Sequence, residues 1–335
     1  MTSKLNIRKK GNGPQPDRTI GGPPRATKGK AARGDFVSDL KLALKPRIRE
    51  WKFDLHLMSK SLTSIMGMGL LVMLIIVAAF PFVLMPHHGR GDPFEIPIDL
   101  DKPDPLPPGT PGYPLGSGVN GKSILYGMIW GARISMVFAI EVVLAGVAIG
   151  TVLGLISGYK GGIRDELIMR FTDIFLSIPS LILVMAIAAV LGRDLNSTKL
   201  ALIAVWWSGY TRLVRGQVLS IRENTYIDAA RASGSGEFKI MFRHILPNSM
   251  APVVVSGTMD MGTVVLVMAG LSYLGLGAPH GYAEWGMMIN DGQARFVYGD
   301  WWMILFPGIA ILTFVLAFNL MGDGLRDVLD PKMRR

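Results

Sequence analysis

R-E-N-T-Y-I-D-A-A-R-A-S-G-S-G-E-F-K-I-M-F-R-H-I-L-P, residues Arg222 to Pro247, is polar and tightly patterned, yet it lies between two stretches apolar enough to cross a membrane. A segment in that position works at a membrane surface, and its patterning reads as a docking element. Thr225 is placed to cap a helix whose first turn holds Asp228, a T-x-x-D variant of the capping box, and Gly234 offers a C-terminal stop. A second short helix is expected from Ser235, with Phe238, Met241, Phe242 and Ile245 at i, i+3, i+4 and i+7 forming one apolar stripe. Pro247 is expected to close the unit.

The composition on either side is that of a membrane protein. Half of the 335 residues are hydrophobic and 18% are charged, against about 25% in an average soluble domain; mean hydropathy is +0.36. The net charge of +10 would suggest nucleic acid in a soluble chain, but here the sidedness of loops explains it better, and no nucleic-acid partner is expected. The lack of cysteine excludes disulfides, thiol catalysis and cysteine-ligated metals, and five scattered histidines argue against a zinc site. About sixty mainly polar residues precede the first long apolar run, so no secretory leader is expected.

Residues 1–60 divide in two. The first 34 are rich in Gly, Pro, Lys and Arg and read as a disordered tail. From Asp35 to Lys60, Phe36, Val37, Leu40 and Leu44 recur at helical spacing beside Lys41, Lys45, Arg47 and Arg49. That suits a helix lying on anionic lipid, although Pro46 interrupts the pattern and a solvated tail stays open as the alternative. Residues 61–330 then form the membrane domain.

Six runs reach the roughly 20 residues that a hydrocarbon core requires: Ser64 to Met85, Ile134 to Ser157, Leu167 to Leu191, Lys199 to Ser220, Ser249 to Gly275 and Trp301 to Leu320. With the N-terminus inside, 28 of the 35 Lys and Arg residues fall on inner segments, so both termini are expected to be cytoplasmic. The fold class is thus an all-α polytopic membrane protein with six transmembrane helices. The loop 86–133 becomes an outer cap, and 222–247 faces the cytoplasm.

Within the outer loop, Gly116-Ser-Gly-Val-Asn-Gly121-Lys122-Ser123 matches the phosphate-binding pattern G-x-x-x-x-G-K-[ST]. A P-loop needs a buried strand before it and a helix after it. The preceding P-G-T-P-G-Y-P cannot make a central strand, and the topology places the loop away from ATP. A glycine-rich turn leading into Ile124 to Trp130 is the better reading.

Polar residues inside the spans need a reason, since a charge at mid-bilayer costs about 2.5 to 3.5 kcal/mol even on insertion scales. Glu141 and Asp260 could line an aqueous path or serve as hydrogen-bonded packing residues. Arg170 and Asp173, three residues apart, suggest a local salt bridge. Pro179, Pro252 and Pro307 could mark kinks. Trp206, Trp207, Trp301 and Trp302 suit interfacial anchoring.

The segment quoted first resembles the E-A-A signature of ABC-importer permease subunits: Asp228-Ala229-Ala230, three residues, Gly234, then Leu246-Pro247 in register. Asp228 stands for Glu, and His244 stands at an Ile position. The run R-H-I-L-P-N, Arg243 to Asn248, is similar to the dipeptide and oligopeptide branch. G-A-R-I-S-M at Gly131, G-Y-K-G-G-I-R-D-E at Gly158, M-R-F-T-D at Met169, L-S-Y-L-G-L-G at Leu271, E-W-G-M-M at Glu284 and the tail Ala317 to Pro331 resemble that branch too, the last its C-type subunit. The chain departs from the family at Leu115 to Ser123, where Lys122 and Ser123 replace Arg and Asp. It also departs at Met268, where an acidic residue is frequent; Asp260, about two turns earlier, could stand in.

The resemblance implies a type I ABC-importer permease fold. It also implies partnership with a second, B-type permease, two ATP-binding subunits, an external solute-binding protein and membrane lipid. ATP and Mg would be held by the ATPase partners; this chain is expected to carry no cofactor, metal or catalytic residue. Tyr226, Asp228, Ala229, Ala230, Gly234, Phe238, Met241, Phe242, His244 and Pro247 would form the ATPase-coupling element. Glu141 and Asp260 would belong to an intramembrane polar path. The expected cargo is dipeptides or oligopeptides, with oligosaccharides or nickel chelates as alternatives; an autonomous ion-coupled carrier and a membrane-bound P-loop NTPase are the competing classes.

Overall fold

The computed structural model describes residues 61–87 and 91–329; the tail and the interfacial helix expected within 1–60 lie outside the described residues. Every regular element among those residues is helical, apart from isolated β-bridges such as Glu95 with Tyr282. In chain order they are α1 (Leu62–Ala79), the short α2 (Pro81–Leu84), α3 (Ile124–Lys160), α4 (Gly162–Ser177), α5 (Ser180–Leu191), α6 (Leu195–Arg222) and α7 (Thr225–Ala232), followed by α8 (Glu237–Tyr273), α9 (Trp285–Phe296) and α10 (Trp302–Leu329).

Four helices, α1, α3, α8 and α10, are long and apolar enough to cross a membrane. The expected third span, Leu167 to Leu191, is not one straight helix: α4 and α5 meet at 89° across Ile178-Pro179, and the pair counts as a fifth span only if taken together. Proline removes a backbone donor and drives the preceding residue out of helical geometry, so α4 stops there; Ile178 is extended at φ −101°, ψ 134°. The expected fourth span corresponds to α6, which has the length, 28 residues, but not the apolarity. Trp206, Trp207, Ser208, Tyr210 and Thr211 dilute its centre, and it packs against α3, α4, α5 and α8.

The central packing is α3 on α6. Gly146, Gly150, Gly154 and Gly158 recur every fourth residue along one face of α3. Side-chain atoms placed at the last three would collide with α6: at Gly150 a Cβ would lie 2.5 Å from Tyr210 Cβ and 2.6 Å from the Trp207 carbonyl, and at Gly154 2.7 Å from the Thr211 carbonyl. Small residues at this spacing let two backbones approach where no hydrophobic effect drives helices together. Around this pair, α8, α10 and α1 complete one core that includes Val142, Leu202, Val264, Met268 and Phe314.

The long loop also differs from its expected limits, because α3 starts at Ile124 rather than near Ile134. Ser123 caps it, its hydroxyl accepting from the Tyr126 amide at 3.3 Å. Ser123 is therefore used as a helix cap, no strand precedes the turn Val119–Gly121, and Asn120 takes a left-handed conformation at φ 58°. The turn is held from the far end of the chain: the Trp302 indole donates to the Ser117 carbonyl at 3.0 Å. Trp302 and Trp207 are thus buried packing residues, not interfacial anchors, whereas Trp301 is half exposed. We expect Lys122→Ala to leave ATP affinity of the assembled complex unchanged; a large loss in a nucleotide-binding titration would show that Gly116 to Ser123 holds phosphate.

Glu284 opens α9 and is fully buried. Its two carboxylate oxygens accept from the amides of Gly286 (2.9 Å) and Met287 (2.8 Å). Burial pushes this carboxyl above its ordinary range while the two amides oppose the rise. The following Trp285 fits against Gly131 of α3, its indole donating to the Met128 carbonyl at 3.2 Å.

Candidate functional site

The segment Arg222 to Pro247 forms a bent joint. α7 is one residue out of phase with expectation: its cap position is Asn224, and Thr225 is already helical. The Asn224 side-chain nitrogen donates to the Ile221 carbonyl at 2.9 Å instead of its oxygen capping α7, and Asp228 pairs with Arg231 at 3.2 Å. The T-x-x-D box therefore does not form. The other end is a Schellman turn: Gly234 sits at φ +76°, its amide donates to the Arg231 carbonyl (2.9 Å), and the Ser235 amide reaches the Ala230 carbonyl (3.1 Å).

The second helix starts at Glu237, not Ser235, and it does not end at Pro247. The chain passes through Pro247 by widening first. Met241–Ile245 form a π-turn in which the Leu246 amide reaches back five residues to the Met241 carbonyl. The Asn248 side chain donates to the His244 carbonyl at 2.6 Å. A proline in an undisturbed α-helix would clash with the carbonyl four residues back, and the extra residue relieves that contact.

The π-turn also splits the expected stripe. Met241 and Ile245 turn into the core with Ile240, while Phe238 and Phe242 stay exposed and pack on each other, ring centroids 4.4 Å apart. Of the ten residues expected to form the element, Tyr226, Asp228, Ala229, Gly234, Phe238, Phe242 and Pro247 are exposed, Ala230 and His244 half-buried, and Met241 buried.

The residue the sequence reading missed is Ile227. It is fully buried, the one such side chain of α7, and packs with Leu155 of α3, Val214 and Val218 of α6, and Ile240 and Ile245 of α8. Its signal was a lone aliphatic side chain larger than alanine on an otherwise mostly small and polar helix. Ionic contacts tie the same ends together. Arg215 of α6 holds Asp165 of α4 through two bonds of 2.6 and 2.7 Å, Ser157 donates to that carboxylate, Lys160 pairs with Glu237, and the Arg222 guanidinium donates to the Gly158 carbonyl at 2.9 Å. The expected Arg170–Asp173 bridge is absent: Arg170 pairs with Glu166 on its own helix, and Asp173 with Arg212 of α6. The four-residue spacing suits Arg170, and the 89° bend swings α4 alongside α6.

A second feature lies at the break between α4 and α5. A cavity of about 700 Å³ is walled by Phe175 to Ser180, by Trp206 and Tyr210 of α6, and by Asp260 of α8. Asp260 accepts from the Tyr210 hydroxyl (2.5 Å) and the Trp206 indole (3.3 Å). Glu141 is not part of it; it pairs with Lys199 at 2.6 Å. The two acidic residues expected to share a path thus have separate partners.

A bundle of apolar helices, one of them broken beside a cavity that holds a carboxylate and tied to an exposed helical joint, defines an all-α polytopic membrane protein of the transport-permease class. The family description "Binding-protein-dependent transport system inner membrane component" matches residues 150–335. The chain is 38% identical over 288 residues to the dipeptide transport system permease protein DppC of Alkalihalophilus pseudofirmus, covering 86% of this chain and 91% of that one. It is 39% identical to the glutathione transport system permease protein GsiD of Pectobacterium atrosepticum (79% and 86% covered). To the oligopeptide transport system permease protein OppC of Bacillus subtilis it is 33% identical (89% and 95%). A solved structure of the MetNI methionine ABC transporter in inward-facing conformations shares the fold at TM-score 0.50 and 19% identity, over 62% of this chain and 98% of that one. The chain belongs to the inner-membrane permease family of binding-protein-dependent ABC transporters, with C-type peptide permeases among its relatives.

Proposed function

We propose that this chain is one of two permease subunits of an ATP-driven importer of dipeptides or oligopeptides. It crosses the membrane six times with both termini in the cytoplasm, α6 and the bent α4–α5 pair included. Its partners are a B-type permease, two ATPase subunits that hold ATP and Mg, and an external solute-binding protein. The chain itself carries no catalytic role. Relatives that carry dipeptides, oligopeptides and glutathione favour peptide cargo over the oligosaccharide and nickel-chelate alternatives.

The observation that carries this reading is the joint. Tyr226, Asp228, Ala229, Phe238 and Phe242 offer an exposed, partly aromatic surface, while Ile227, the Lys160–Glu237 pair and the Arg222–Gly158 hydrogen bond key the same segment into α3, α6 and α8. A push on its outer face is thereby delivered to the bundle, which is what coupling to an ATPase demands. Neither an autonomous carrier nor a P-loop NTPase has a use for such a surface.

Gly234→Trp tests it. At φ +76° a side chain is strained by about 1–2 kcal/mol, and a bulky ring would stand off whatever docks there. We expect inserted, assembled complexes in which substrate-stimulated ATP hydrolysis and uptake are uncoupled; Asp228→Arg is expected to act the same way. Normal transport in vesicles by both variants would sink the coupling role.

A further inference from the structure

We propose that Asp260, at the cavity where α4 breaks into α5, is a binding site for the ammonium group of a passing peptide. The inference rests on the peptide-importer reading and adds the group recognised and the residue that recognises it. Asp260 lies mid-way along α8, a helix apolar enough to cross a membrane, where a carboxylate is expensive unless something compensates it. Among the described residues its contacts are two neutral donors, the Tyr210 hydroxyl and the Trp206 indole, and both bond to the same oxygen, Oδ2. None of the ten ion pairs among those residues includes it. Glu141 and Asp173, by contrast, have Lys199 and Arg212.

The other oxygen, Oδ1, has no hydrogen-bond partner among the described residues and is not sealed in the core, since Asp260 is a wall of the cavity and half-buried. The site is therefore an anionic acceptor held in place by two fixed donors and open toward a space of about 700 Å³, ample for a short peptide. No group of three acidic or histidine side chains suited to a metal ion occurs among the described residues, which argues against a divalent cation. Trp206, Tyr210 and Phe175 place aromatic rings in the same wall, and aromatic faces attract organic cations. A primary ammonium, with three donors and a positive charge, matches a carboxylate beside aromatic rings.

The test uses the assembled transporter in nanodiscs without its external receptor, so that the receptor's own selectivity does not enter. Binding of alanyl-alanine and of N-acetyl-alanyl-alanine is measured by ligand-detected NMR titration. Loss of a charge-assisted hydrogen bond predicts that the free dipeptide binds about tenfold or more tighter than the acetylated one. Asp260→Asn is expected to reduce the ratio to within about twofold, and Asp260→Glu to keep most of it. Equal affinities in the unmodified transporter, which require no variant to fold, would overturn the proposal, as would an unchanged ratio in Asp260→Asn. Uptake of peptide in receptor-supplied vesicles separates the two ideas. Uptake without an amine preference removes only the Asp260 site, whereas no uptake of any peptide removes the peptide reading and this inference together.

Discussion

Gly150→Leu is expected to abolish recovery of folded protein, or to lower its thermal unfolding midpoint in detergent by more than 10 °C, on the order of the shift that overpacking by several kcal/mol produces. The first atom of any side chain at this position already lies 2.5 Å from Tyr210 Cβ, 2.6 Å from the Trp207 carbonyl and 2.9 Å from the Thr211 amide. Two of these three contacts are backbone, so no rotamer change relieves them; α3 and α6 must separate. The separation propagates along the stripe, because Gly154 and Gly158 meet α6 nearly as closely, at 2.7 and 2.8 Å. Gly69→Leu is the control: Gly69 is an equally helical glycine on α1 with nothing within 4 Å, and its replacement is expected to leave the midpoint within a few degrees, on the order of an ordinary surface change. A Gly150→Leu protein as stable as the Gly69→Leu control would contradict the close packing of α3 on α6.

The glycine stripe also illustrates what the sequence made legible and what it did not. Spacing of four among Gly146, Gly150, Gly154 and Gly158 is readable without a structure, but which helix it faces depends on the partner, and Tyr210 and Val214 carry no mark of it. Hydropathy found the apolar helices because bilayer thickness sets their length. It read residues 167–191 as one helix, since a window average is blind to one proline; the stretch is a bent pair, and Pro179 turns the chain by 89°. Pro247 reads as an end, because proline usually ends a helix; the π-turn that carries α8 past it widens the helix before the proline while Ile240 and Ile245 stay in the core. Gly234 was readable because only its backbone freedom is used, whereas Thr225 failed as a cap by one residue, a shift that local preference does not resolve. Asp260 was visible as an anomaly, and its meaning came only with the cavity and with the neutral identity of its two donors.

Ile227→Ala should separate attachment of the joint from its outer face. The side chain is fully buried among Leu155, Val214, Val218, Ile240 and Ile245, so truncation removes three carbons from a packed cluster, at a cost of about 2 to 5 kcal/mol where the site cannot collapse. α7 has only eight residues, too few to persist as an isolated helix, and its remaining side chains are small, polar or exposed. The expected result is therefore local: α7 frays while the α3–α6 glycine contact and the Arg215–Asp165 pair hold the bundle. Hydrogen exchange over residues 225–234 should rise by at least about tenfold, the change that 1.4 kcal/mol of local opening produces, with little change over α3. ATP hydrolysis by the assembled complex should persist, and substrate uptake should fall by more than about tenfold, because a docked ATPase would then move α7 without moving α6 and α8. Tyr226→Ala, which alters the exposed face beside the same residue, should weaken docking instead and leave exchange over 225–234 near its original rate. If Ile227→Ala keeps full uptake while exchange shows α7 frayed, force enters through the stacked Phe238 and Phe242 at the head of α8, whose helix continues unbroken from the joint to Asp260 and its cavity.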